Sequence, residues 1–212
     1  MTLRSAALVA AVATLAIGVP AATAAPKKKA PPPVCNLVVD DKGDETVPDP
    51  TLDVLSADIA SDARKITGVI RLSGDPDSTS PTSPTGRTYN LMFSGTKPTN
   101  PVFFAFILGP TAQAATYGFR NTTTNVNEGV GEATVKIVGN DIYMTAPLSA
   151  FAPYGKFKPG NKITGLTAAT GRMLGAFASS SVYAYNSVAG DATSEGRTYT
   201  AGTRSCVKVG GP

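Results

Sequence analysis

The chain has 212 residues, with 19 Lys and Arg, 15 Asp and Glu, two Cys, and neither His nor Trp. That length suits one domain or two small ones, and 42% hydrophobic residues are enough for a core. The lack of His removes imidazole bases and imidazole metal ligands, and two Cys cannot build a Cys-rich zinc site, so carboxylate, hydroxyl and amide chemistry remain.

The chain opens with Arg4, an Ala-, Val- and Leu-rich run over residues 6–19, and Ala22-Thr23-Ala24. A short positive start, an apolar stretch and a small-x-small site predict a signal peptide over 1–24, cut after Ala24. Residues 25–33 hold Lys27, Lys28, Lys29 and four prolines, which block helix and ladder pairing. They read as an extended Pro/Lys-rich tether with charge suited to an anionic cell envelope. No other long apolar run follows, so no membrane span is expected in the mature chain.

Cys35 and Cys206 bracket everything else. In an exported protein two thiols form one disulfide, here closing a loop of 206 − 35 = 171 residues. The bridge requires Cα atoms roughly 4.4–6.8 Å apart, so the first and last strands should lie side by side in one domain, 34–212.

Within that domain the apolar runs are short. Residues 37–39 come first, then Leu52, Val54 and Ile59, then Ile66, Val69, Ile70 and Leu72. Residues 73–86 are Ser-, Thr- and Pro-rich and read as a polar loop. Tyr89, Leu91 and Phe93 alternate with polar neighbours, the period of a strand with one buried face. Residues 102–108 are continuously apolar and predict a strand buried on both faces. Tyr117 and Phe119, Val135 and Ile137, and Ile142 and Met144 alternate again, and residues 138–142 read as a tight hairpin. One short helical turn is expected at residues 148–151, with Pro147 at its first position. The pattern predicts an all-β fold, a single jelly-roll-like β-sandwich.

From residue 34 onward the chain carries 15 bases and 15 acids, so the isoelectric point near 9.1 comes from the leader and tether. A basic patch on the fold is not implied, and no nucleic-acid partner is expected. Residues 40–77 carry net −6 and residues 78–212 net +6.

Asp40, Asp41, Asp44, Glu45, Asp49 and Asp53 crowd into 14 residues. Gly43 lets the backbone turn sharply, so carbonyls can join carboxylates around a calcium ion, which takes six to eight oxygens. The Asp40-Asp41-Lys42-Gly43-Asp44 turn would supply oxygens, with Asp191 a further one from the far end of the chain. Carboxylate catalysis would draw on Glu128, Glu132, Asp141 and Glu195, the first two beside glycines in an expected loop. For ligand binding, Tyr154 and Phe157 flank Gly155-Lys156 in a loop that should expose both rings. Asn121-Thr122-Thr123 is a glycosylation sequon.

The order of these pieces resembles secreted bacterial β-sandwich modules related to family 9 carbohydrate-binding modules and DOMON domains. The resemblance rests on Asp40-Asp41-Lys42-Gly43-Asp44, Leu52-Asp53-Val54-Leu55-Ser56, Gly86-Arg87-Thr88-Tyr89-Asn90-Leu91, Ala146-Pro147-Leu148-Ser149 and the closing stretch from Gly190-Asp191-Ala192 to Cys206. It implies a sandwich fold, calcium held at the acidic turn by Asp40 and Asp44, and an accessory binding role. The expectation is a secreted, extracellular, non-catalytic binding or structural module. It would be calcium-stabilised and associated with extracellular polysaccharide or the cell envelope. The alternative is a small extracellular carboxylate-dependent hydrolase.

Overall fold

The computed structural model describes residues 31–110, 112–174 and 187–212. The expected signal peptide, residues 25–30 of the tether and the stretch 175–186 lie outside the described residues.

Alternating apolar residues become strands where turn residues bound them. In chain order these are β1 (Val38–Val39), β2 (Val54–Ser61), β3 (Lys65–Leu72), β4 (Arg87–Ser94), β5 (Val102–Leu108) and β6 (Gln113–Asn121). Then come β7 (Val126–Glu132), β8 (Thr134–Val138), β9 (Asp141–Pro147), β10 (Lys162–Met173), β11 (Ser187–Ala192) and β12 (Tyr199–Thr200). They form two antiparallel sheets, β1-β2-β3-β9-β8 and β11-β10-β4-β5-β6-β7, with β12 paired to β10. This is the all-β sandwich expected from the strand spacing.

The inward faces share one core. Ile59, Ile66 and Ile70 of the first sheet meet Leu91, Phe93 and Phe104 of the second. Phe151 sits at the centre of an aromatic cluster, with Phe93, Phe104 and Phe157 at 5.8 Å and Tyr117 at 5.4 Å between ring centroids. β5 is buried on both faces, as its unbroken apolar run requires. The β8–β9 hairpin closes through Gly139-Asn140, with Gly139 at φ 58°, a conformation glycine adopts freely.

Three local expectations differ from the structure. The helical turn is a longer 3-10 helix, Leu148–Tyr154, and Pro147 precedes it in an extended conformation. Pro147 pairs with Lys65 in β9, which keeps it in the strand. Glu128 and Glu132 lie on strand β7 rather than in a loop, because Val126 to Glu132 pair with β6 despite their glycines. The outer face of the first sheet is covered by the C-terminal tail. Val207 packs with Ala60 and Val69, and Gly210 N–H donates to Thr67 Oγ1 at 2.8 Å.

β6 and β7 approach closely at Gly118, where a Cβ would collide with Glu128 O and lie 2.7 Å from Gly129 Cα. Gly118→Ala should therefore detach β7 at a cost of about 1–3 kcal/mol. Amide exchange should rise over residues 126–132 and stay unchanged in β2 and β3. Equal exchange in β7 would show that the ladder tolerates the methyl group.

The disulfide joins Cys35 and Cys206 with Cα atoms 5.1 Å apart. Val34 and Ser205 form a parallel bridge beside it, with Cys206 N–H donating to Val34 O at 3.0 Å.

Candidate metal centre

Asp40 follows β1, where its N–H donates to Leu55 O at 3.0 Å. The chain then turns at Lys42-Gly43, with Gly43 at φ 82°, and presents Asp44. A Cβ at Gly43 would meet nothing within 4 Å, so the left-handed backbone is what calls for glycine there. Asp191 comes from β11, on the edge of the other sheet.

Several hydrogen bonds hold these segments together. Thr46 N–H donates to Gly190 O at 2.7 Å, and Val54 N–H donates to Asp191 Oδ2 at 2.7 Å. Asp40, Asp44 and Asp191 thereby each place a carboxylate oxygen within 4.8 Å of the others. The three residues expected from the sequence as ligands are brought together.

Asp53 reinforces the cluster from below. It is 2% exposed, its Oδ2 accepts from Gly43 N–H at 3.1 Å, and its Oδ1 has no partner. Asp40 Oδ2 and Glu45 Oε2 are likewise buried without partners. No Lys or Arg lies within 4.0 Å of these carboxylates among the described residues, where the ion pairs are Arg71–Asp58 and Arg71–Asp141. Burial, and then repulsion from Asp191 and Asp44, raises the Asp40 carboxyl above the usual carboxylate range. Burial also raises Asp191, although Val54 and Ala192 N–H groups oppose it, and Asp44 and Asp53 add repulsion. The cluster thus concentrates negative charge with no ion-paired base among the described residues. Its oxygen-only donor set suits a hard divalent cation, and Asp40, Asp44 and Asp191 are the residues that would hold it.

The aromatic loop behaves differently from its expectation. Phe157 is 2% exposed, because its ring packs edge-on to Phe93 and against Phe151. It is a core residue, not an exposed stacking platform. Tyr154 is half-buried and stacked on Phe119 at 4.3 Å, so one ring face is covered. A cleft of about 550 Å³ is lined by Leu148, Ala152, Phe157, Lys156 and Lys158, among others, and Tyr154 is not part of its lining. The carboxylates considered for catalysis fall on three segments: Glu128 and Glu132 on β7, Asp141 on β9 and Glu195 after β11. Asp141 is engaged by Tyr143 Oη at 3.1 Å and Arg71 at 3.7 Å.

Asp49 is a structural residue that sequence reasoning placed in the acidic run without a separate role. It is 4% exposed and organises the 73–86 loop. Its carboxylate accepts from Ser80 Oγ, Thr82 Oγ1 at 2.6 Å, Ser83 Oγ at 3.2 Å and Thr51 Oγ1 at 2.6 Å. Asp49-Pro50-Thr51 was the available signal, since an Asp side chain commonly bonds the backbone two residues on, here Thr51 N–H at 3.0 Å.

Comparison with known protein families finds no family model that matches the chain, and no curated protein matches it significantly.

Proposed function

We propose that the chain is a secreted, non-catalytic binding or structural module whose terminal segments are pinned together by calcium. Asp40, Asp44 and Asp191 would hold the ion, with Asp53 buried beneath them. The observation that supports this most directly is the convergence of these carboxylates, with unpartnered buried oxygens on Asp40 and Asp53. Calcium tolerates irregular oxygen shells, whereas magnesium demands near-octahedral geometry and keeps its waters, so the crowded carboxylate set favours calcium. The ion would join the 40–44 turn to β11 and complement the Cys35–Cys206 closure.

The binding partner we propose is an extracellular polysaccharide or the cell envelope, as the resemblance to carbohydrate-binding modules implies. The cleft lined by Phe157, Lys156 and Lys158 is the supporting surface. Its apolar lining suits a sugar ring face, and Lys156 and Lys158 suit acidic substituents.

The test is thermal unfolding of the oxidised protein with calcium and with chelator. Binding to the native state alone raises stability by RT ln(1 + [L]/Kd), about 2.7 kcal/mol at a hundredfold excess over Kd. For this size of chain that corresponds to roughly 5–10 °C. The shift should vanish in Asp40→Ala/Asp44→Ala. An identical melt with calcium and chelator would remove the ion site. Sedimentation with insoluble cell-wall polysaccharide tests the partner, and retention equal to that of a control protein would refute it.

A further inference from the structure

We propose that the cleft lined by Lys156, Phe157 and Lys158 selects an anionic glycan, a sugar polymer bearing carboxylate or sulfate groups. The inference rests on the polysaccharide reading above and narrows it to one class of ligand.

The folded domain divides its charge between two ends. β2 starts at Val54, next to the buried Asp53, and finishes at Ser61. β10 starts at Lys162, and Thr170 near its far end pairs with Asp191. The acidic turn and Asp191 therefore sit at one end of the strands. The turns at 62–64, 95–97 and 155–161 sit at the other. Thr96 pairs with Lys156, and its Oγ1 accepts from Lys162 N–H at 2.9 Å. Leu148 N–H donates to Arg64 O at 2.7 Å, and Ala63 shares the lining of the cleft with Lys156 and Lys158. Arg64, Lys65, Lys97, Lys156, Lys158 and Lys162 are thus gathered at this end, and all six are exposed.

The one acid in residues 62–65, 95–101 and 148–162 is Asp62. Its Oδ1 accepts from Arg64 N–H at 2.6 Å and Lys65 N–H at 2.7 Å. None of the six bases has a carboxylate within 4.0 Å among the described residues. The eight residues of β2 hold the two ends about 25 Å apart. That is about three Debye lengths at physiological salt, so the acidic end does not neutralise the basic one. A chain with no net charge from residue 34 onward therefore folds with an unneutralised basic end.

The cleft lies within that end. Its volume of about 550 Å³ is that of a small-ligand site. Phe157 turns inward and is 2% exposed, which leaves Lys156 and Lys158 exposed on either side of it. Leu148, Ala152 and Phe157 supply apolar lining for the C–H face of a sugar, while Ser149 and Asn161 bring a hydroxyl and an amide for its hydroxyls. The two ammonium groups would pair with acidic substituents through charge-assisted hydrogen bonds. A neutral glycan leaves the lysines unused, and a bare anion leaves the apolar lining unused. An anionic glycan uses both.

The experiment is titration calorimetry of the oxidised chain with dextran, carboxymethyl-dextran and dextran sulfate, at fixed calcium. Saturable binding of at least one charged polymer is expected, about tenfold or more tighter than dextran and weakening as salt is raised. The stronger charged arm separates carboxylate from sulfate. Lys156→Glu/Lys158→Glu should weaken that binding about tenfold or more and leave the melting temperature unchanged without glycan, because both side chains are exposed. Replacing Lys27, Lys28 and Lys29 by serine should leave it within about twofold. Equal binding of dextran and the charged polymers overturns the anionic preference and leaves the polysaccharide reading standing. Binding of none of the three overturns both. Charged-polymer binding that survives Lys156→Glu/Lys158→Glu but is lost with the tether lysines moves the contact to the tether and overturns the cleft. A salt-sensitive dimer in sedimentation, abolished by Lys156→Glu/Lys158→Glu and formed without glycan binding, would put the acidic end of a second copy there and overturn the glycan.

Discussion

Replacing Cys35 and Cys206 together by alanine should lower the melting temperature by about 5–15 °C. The bridge closes a loop of 171 residues, and the chain-entropy model gives about 5 kcal/mol for a loop of that size. Removing a native disulfide from a small domain typically costs about 2–5 kcal/mol, so the model value stands as the upper bound. The loss should concentrate at the ends of the fold. The Val34–Ser205 bridge, the Val34 N–H bond to Arg204 O and the Arg197 bonds to Cys35 O and Asn36 O all cluster beside the sulfurs. These bonds, with Cys206 N–H to Val34 O and Arg197 N–H to Leu37 O, must then hold the first segment against the last. β1 should also loosen, although Asp58 anchors it by accepting from Asn36 N–H at 3.0 Å and Leu37 N–H at 2.8 Å. Scanning calorimetry of the oxidised parent and the double variant measures the difference. Equal melting temperatures would show that the backbone bridge and the C-terminal tail suffice without the covalent link.

Asp49→Ala should cost about 3 kcal/mol, because it leaves several buried hydroxyls and one backbone N–H without their acceptor. The melting temperature should fall by roughly 6–12 °C. The same carboxylate predicts an acid dependence. Although burial alone would raise its pKa, the hydrogen bonds from Ser80, Thr51 and Thr82 outweigh it and hold the pKa down at about 2. The unfolded value is about 3.9, so the unfolded chain binds more protons at Asp49 in this range. Its contribution is therefore fully present above about pH 4 and is lost as the pH falls through about 2. Urea unfolding of the parent and Asp49→Asn from pH 2 to 6 separates this residue from the other carboxylates. The gap between the two proteins should close as the pH falls. A constant gap would mean that Asp49 acts only through shape.

The charge layout illustrates how sequence and topology divide the work. The net −6 of residues 40–77 and net +6 of residues 78–212 read as a gross imbalance along the chain. Once folded, Asp191 from the basic stretch joins the acidic turn, while Arg71 from the acidic stretch pairs with Asp141. Segment charge alone does not predict either neighbour. The aromatic loop is a second case. Gly155 and Lys156 mark a turn around Phe157, which implied exposure. The 3-10 helix before it instead drives the ring inward against Phe93 and Phe151.

Local chemistry was enough to establish the β class, the strands carrying Tyr89 to Phe93 and residues 102–108, the Gly139-Asn140 hairpin and the Gly43 turn. Each depends on side-chain period or on one backbone conformation, and both are written in adjacent residues. The disulfide was legible because two cysteines allow one intramolecular pairing. Tertiary structure alone decided that Asp49 sits beneath a canopy of hydroxyls, that Asp53 lies buried under the acidic turn, and that Arg87 faces Arg172. Those outcomes follow from sheet order and register, which bring together residues far apart in the chain. They are selected by the free energy of the whole core, and no short stretch of sequence carries that information.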